Sequence, residues 1–171
     1  MAPRRQYGRF DLGFHDLTAR VIDGARLTFQ YVDYNHDEIE TLDGEEEIGT
    51  AFSNDIVLLR AELDQRKMGS LTGKFGVSGQ LRDYSSVGEE SLAPPTTQNA
   101  IAGFVYEELE VNPSTTLQFG GRLEYNDYDP EPRPIVEEEE GAGETGTVPP
   151  ETRPRSFTGL SGSFGVRRQI V

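Results

Sequence analysis

An all-β fold of about seven antiparallel strands, connected up and down, is what this sequence predicts, and three observations predict it. Polar and apolar residues alternate through segment after segment, as in residues 71–81, where Leu71, Phe75, Val77 and Leu81 oppose Thr72, Lys74, Ser78 and Gln80. Successive strand side chains point to opposite faces, so each such segment is a strand with one oily and one wet face. The segments are also long for strands of a water-soluble domain. Finally, their connections alternate between a compact turn and a long acidic stretch.

In chain order, the first expected strand covers residues 7–15, with Phe10, Leu12 and Phe14 on one face. Residues 16–19, together with Asp23-Gly24, supply turn chemistry before a second strand at 20–34, where Ala25, Leu27, Phe29 and Tyr31 oppose Arg26, Thr28 and Gln30. The third strand is expected at 51–63 and the fourth at 70–83, joined by a compact turn at 64–69. The fifth is expected at 99–109 and the sixth at 115–128, joined through Asn112-Pro113-Ser114. The seventh covers 156–168. Glycines such as Gly73, Gly76, Gly79 and Gly103 fall inside strands, where they mark curvature or close backbone approach.

Between these pairs lie three expected long loops, at 33–50, 83–98 and 127–155. They carry 20 of the 30 acidic residues of a 171-residue chain whose formal net charge is −14. Residues 136–151, with Glu137 to Glu140 followed by a Gly-, Thr- and Pro-rich run, have the composition of a disordered segment. Such a loop argues against a compact soluble domain. Short turns on one rim and long acidic loops on the other are the rhythm of a transmembrane β-barrel, whose strands need about 9–11 residues to cross the bilayer. Tyr31, Tyr34, Phe52, Tyr84, Tyr125, Tyr128 and Phe157 fall where strands meet long loops, the expected place for an aromatic girdle.

Composition narrows the rest. No run of about 18 apolar residues exists, so no spanning helix is expected. The chain has no cysteine, which removes disulfides and thiolate metal sites. Its acidity removes the main attraction for nucleic acid. No secretory signal is expected from the opening residues, which pass from Met1-Ala2-Pro3-Arg4-Arg5 straight into alternation. Nothing recommends an enzyme: His15 and His36 belong to no catalytic pattern, and Glu107 and Glu108, adjacent on a strand, point to opposite faces. No cofactor is expected. His36, Asp37, Glu38 and Glu40 offer imidazole and carboxylate ligands for a divalent cation, the alternative being a solvated acidic loop. Thr28, Gln30, Arg60, Gln80, Arg82, Gln118, Arg122 and Glu124 are expected on the wet face.

The run from Tyr31 to Glu40, the segment from Ile48 to Asn54, Leu59-Arg60-Ala61-Glu62-Leu63, Gly69 to Gly73, and Gly88-Glu89-Glu90 leading to Pro94-Pro95-Thr96 together resemble the mid-barrel region of TonB-dependent outer-membrane receptors of the metal and metal-chelate uptake type. The match in strand and loop order extends over residues 6–130. The resemblance implies a partial outer-membrane barrel spanning 1–171, without plug domain or closing C-terminal strand, in the envelope of a Gram-negative cell. It implies outer-membrane lipid, a plug, the TonB energy-coupling complex and a metal or siderophore-like chelate as partners of the parent protein. Two alternatives stay open: a soluble lipocalin-like barrel with its oily faces inward, and a small passive or structural outer-membrane barrel.

Overall fold

In the computed structural model, residues 3–42, 45–88, 91, 93–132 and 152–170 are described. They form one antiparallel sheet of seven strands: β1 (Arg4–Phe14), β2 (Ile22–Leu42), β3 (Glu45–Gln65), β4 (Leu71–Gly88), β5 (Thr96–Asn112), β6 (Thr115–Pro130) and β7 (Arg155–Arg168). Each pairs only with its neighbours in sequence, so the sheet is an up-and-down meander with β1 and β7 at its open edges. It is not closed into a barrel. All seven expected strands are present.

The connections depart from expectation in an informative way. The acidic segment expected as a loop at 33–50 is mostly ladder: Asp33 pairs with Asp55, Asn35 with Ser53 and Asp37 with Ala51, and the two strands stay paired as far as Leu42 and Glu45. Acidic residues disfavour strands only weakly, and a backbone ladder already in register carries them along. The second expected loop shrinks likewise, because β4 continues to Gly88 and β5 begins at Thr96. Most of the third, residues 133–151, lies outside the described residues. Asp23-Gly24, expected in a turn, instead sits in β2 at a bulge that shifts the register between Ile22 and Gly24.

The compact rim is well tied. Arg66 donates from its backbone to the Val21 carbonyl at 2.9 Å, from its guanidinium to the Leu17 carbonyl, and pairs with Asp23 at 3.1 Å. One side chain thus pins the β1–β2 connection to the β3–β4 turn. In that turn Gly69 takes φ +64°, a conformation other residues rarely adopt. At the β5–β6 turn the Asn112 carboxamide accepts from the Ser114 N–H at 3.1 Å, and Pro113 sets the bend.

Registration sorts every side chain to a face, because directly opposite residues share one. Phe10, Phe29, Leu59, Gly79, Ile101 and Tyr125 form one cross-strand row. Leu12, Leu27, Ala61, Val77, Gly103, Leu123 and Leu160 form the next. Among the described residues nothing covers this apolar face: Leu160 is 83 % exposed, Phe164 67 %, Ile101 62 % and Val77 57 %. On the other face Thr28, Ser86 and Thr116 are buried, and so is Ala102, at 4 % the single buried hydrophobic residue among those described. The burial pattern of a soluble protein is therefore reversed.

The polar face is the enclosed one because its long side chains lie over small neighbours. Phe104 on β5 leans across Gly76 to receive the Arg60 guanidinium of β3 over its ring, 4.1 Å from the centroid. A Cβ at Gly76 would run into the Ala61 carbonyl and meet Phe104 at 2.8 Å, so the crossing requires glycine. Arg122 on β6 similarly reaches Ser78 on β4 at 3.5 Å, two strands away. Contacts across an intervening strand are what the inner side of a curled sheet allows.

Candidate functional site

The polar face carries several clusters of hydrogen bonds and ion pairs. Near the compact rim, Arg60 pairs with Glu62 at 2.6 Å, and Lys74 bridges Glu62 at 3.5 Å and Asp64 at 3.9 Å. On β5 and β6, Glu108 accepts from the Tyr106 hydroxyl and the Gln118 amide, each at 2.8 Å. Glu124 pairs with Arg122 and accepts from Asn126 at 2.7 Å. The Gln98 amide continues the chain, donating to Asn126 and to the Tyr128 hydroxyl at 3.1 Å each.

That chain ends in a cluster at the far end of the sheet from the compact turns. Arg82 sits beside Gln98 and Ile56 in one cross-strand row, with Tyr128 following Gln98. Its Nε donates to the Asn54 carboxamide oxygen at 2.5 Å, and its guanidinium lies 5.4 Å from the Tyr84 ring centroid. Arg82, Tyr84, Thr96, Gln98 and Tyr128 line a hollow of about 240 Å³. A smaller one, about 120 Å³, is lined by Gln80, Gln98, Arg122, Glu124 and Asn126. Gln98 is common to both. Such a surface presents a guanidinium, an amide and phenolic hydroxyls beside aromatic rings, which suits an oxygen-rich anion with flat apolar parts.

Each expected ligand of a metal site has a definite place. His36 and Glu38 share the polar face, while Asp37, one residue between them, points to the other face. Glu40 belongs to β2, and its side chain lies outside the described residues. His36 stacks on Phe52 with centroids 4.4 Å apart and planes within 3°, and it tilts against Tyr34 at 5.3 Å. Its Nδ1 is enclosed without a hydrogen-bond partner. Among the described residues, no three His, Asp or Glu side chains gather as a metal-holding group.

The expected wet-face residues Thr28, Gln30, Arg60, Gln80, Arg82, Gln118, Arg122 and Glu124 all fall on the polar face. The aromatic girdle is corrected. Of its seven members only Tyr31 and Tyr125 lie on the apolar face; Tyr34, Phe52, Tyr84, Tyr128 and Phe157 register with the polar one. Sequence reasoning thus assigned Tyr84 and Tyr128 to the wrong side and missed their cluster with Arg82. The signal was present in the parity, since Arg82 and Tyr84 are two residues apart on one strand.

Compared with known proteins, the chain matches no family model and no curated sequence.

Proposed function

We propose that this sheet is a wall segment of an outer-membrane β-barrel, with its apolar face toward lipid and its polar face toward a water-filled lumen. The observation that carries this reading is the reversed burial: Phe29, Val77, Phe119 and Leu123 are exposed while Thr28 and Ala102 are buried on the opposite side. Dimensions agree. The apolar positions of β4 run from Leu71 to Leu81, about 33 Å at strand rise, or about 25 Å along the axis at the usual tilt, matching the apolar band of such barrels. Beyond it the same face turns acidic at Asp33, Asp55, Asp83 and Asp129. A lipocalin-like barrel would need Phe75, Phe119 and Leu123 packed together in its interior; their exposure favours the membrane reading.

The parent protein, in this proposal, is a TonB-dependent receptor importing a metal chelate, as the resemblance of residues 6–130 implies. The Arg82 cluster then stands on the lumen side near the long-connection rim, where an incoming ligand is first met. Its chemistry favours an anionic chelate over a bare cation, because Arg82 repels the latter. Titration calorimetry of the chain in lipid nanodiscs with an anionic ferric chelate tests this. Arg82→Ala is expected to weaken binding by about 10- to 150-fold, the worth of a hydrogen bond to a charged group. Unchanged binding in Arg82→Ala, or tighter binding of free zinc than of the chelate, would overturn the assignment.

A further inference from the structure

Every hydrogen bond between Arg122 and Tyr128 has its direction fixed from one end. On the polar face of β6, Glu124, Asn126 and Tyr128 follow one another at every second residue, about 7 Å apart. Their cross-strand partners are Ala102, Ala100 and Gln98, and the two alanines leave room for the β6 side chains to lie along the sheet. Arg122 can only donate; it gives its Nε–H to Glu124 Oε2 at 2.9 Å and reaches Ser78 at 3.5 Å. The Glu124 carboxylate can only accept, so its other oxygen takes the Asn126 amide N–H at 2.7 Å. Asn126 is thereby turned with its carbonyl oxygen toward Gln98, which meets it with Nε2 at 3.1 Å. The same nitrogen donates to the Tyr128 hydroxyl oxygen, also at 3.1 Å. Tyr128 accepts there, and its own proton is left for the hollow it lines with Arg82, Tyr84, Thr96 and Gln98.

The Tyr128 ring stands edge-on to Phe157, with centroids 5.9 Å apart, so the hydroxyl keeps its place. Beside it, Arg82 commits its Nε to Asn54, and among the described residues its terminal N–H groups have no hydrogen-bond partner. Guanidinium and hydroxyl then both donate into the hollow, as an oxyanion requires. We propose that Glu124 is a positioning residue of the Arg82 hollow: through Asn126 and Gln98 it turns the Tyr128 proton toward the place of the bound oxyanion. The ligand in this inference rests on the chelate reading of that hollow. Glu124→Gln inverts the order of donors. Arg122 claims the single amide oxygen, so the new N–H₂ faces Asn126. Asn126 and Gln98 then turn over in succession, and the Tyr128 proton is drawn to the Gln98 oxygen, away from the hollow.

The test uses the full chain in lipid nanodiscs with isotope-labelled asparagine and glutamine, the exchange of side-chain N–H₂ groups with water being followed by NMR. Spectra of Gln98→Ala and Asn126→Ala assign the two signals. In the native chain both amides donate to protein oxygens and should exchange slowly. In Glu124→Gln the Asn126 N–H₂ should stay protected, now by the Gln98 oxygen, while the Gln98 N–H₂ turns away from its partners and exchanges faster. Protection lost at both amides would mean a merely loosened face and overturns the inference; so does protection kept at both. Ferric EDTA, an anionic chelate, then probes the hollow by calorimetry. Glu124→Gln should weaken its binding about tenfold, the lower end of what a hydrogen bond to a charged group contributes. Loss of a negative charge about 14 Å away would by itself act in the opposite sense. Tyr128→Phe should cost about tenfold in the native background but about twofold at most in Glu124→Gln, where the hydroxyl no longer faces the ligand. Additive losses, or tighter binding in Glu124→Gln, overturn the inference. The expected exchange pattern in a native chain that binds no ferric EDTA would sustain the positioning role and overturn the chelate reading beneath it.

Discussion

Val77→Lys separates the two environments the apolar face could meet. Val77 lies midway along β4 between Leu71 and Asp83, six residues from each. Six residues are about 20 Å of strand and about 15 Å along a tilted barrel axis, which puts Val77 near the bilayer midplane. A lysine there costs about 2–4 kcal/mol in a membrane barrel, a factor of about 30–700 in the folding equilibrium. Leu81→Lys, two residues from Asp83, stands near the interface and should cost about 0–1 kcal/mol. Gln80→Lys, on the polar face between them, should change little. In water the order differs: Val77 is 57 % exposed, so a lysine replacing it should fall within about 0.5 kcal/mol of neutral. The assay is urea titration of the chain bound to phosphatidylcholine vesicles, followed by tyrosine fluorescence. Equal costs for Val77→Lys and Leu81→Lys would refute the depth argument and, with it, the lipid-facing assignment.

Other consequences follow from single contacts. Gly76→Ala should destabilise by about 1–3 kcal/mol in the same titration, because its Cβ would collide with the Ala61 carbonyl and push Phe104 off Arg60. Arg66→Ala should speed hydrogen exchange in the β1–β2 connection selectively, since one guanidinium ties Leu17, Ile22 and Asp23 together. Glu107 registers with Gly73 and Phe119 on the apolar face, and its Oε2 is enclosed without a partner. Glu107→Leu should therefore stabilise the vesicle-bound chain, by about 1–3 kcal/mol for relief of an unsatisfied group; destabilisation would mean that Glu107 is partnered in the membrane.

Strand number, order and parity were legible in the sequence because period two survives even where composition turns polar. The strand ends were not. Charge-rich stretches such as Asp33 to Thr50 look like loops when composition is weighed above alternation, yet Tyr34, His36 and Glu38 keep the beat there, and Phe52 continues the row of His36 across the hairpin. The aromatic positions were legible, and so was the side of Tyr84, which shares its parity with Arg82 on one strand; joining it to Tyr128 needed the register passed from strand to strand. Once Tyr84 is paired with Asn54 and Thr96, it belongs with Arg82 and not with Tyr125. Two of the candidate metal ligands part by the same alternation: His36 and Asp37 are neighbours in sequence and opposites on a strand.

A nitroxide scan along β4 from Lys74 to Arg82 tests the central claim most directly, since a chain without cysteine accepts one label at a time without background. In bilayers the account predicts that labels at Phe75, Val77, Gly79 and Leu81 are accessible to oxygen, while those at Lys74, Ser78, Gln80 and Arg82 are accessible to a water-soluble nickel chelate. Labels at the odd positions shielded from both relaxants would mean a sealed protein interior and would contradict it.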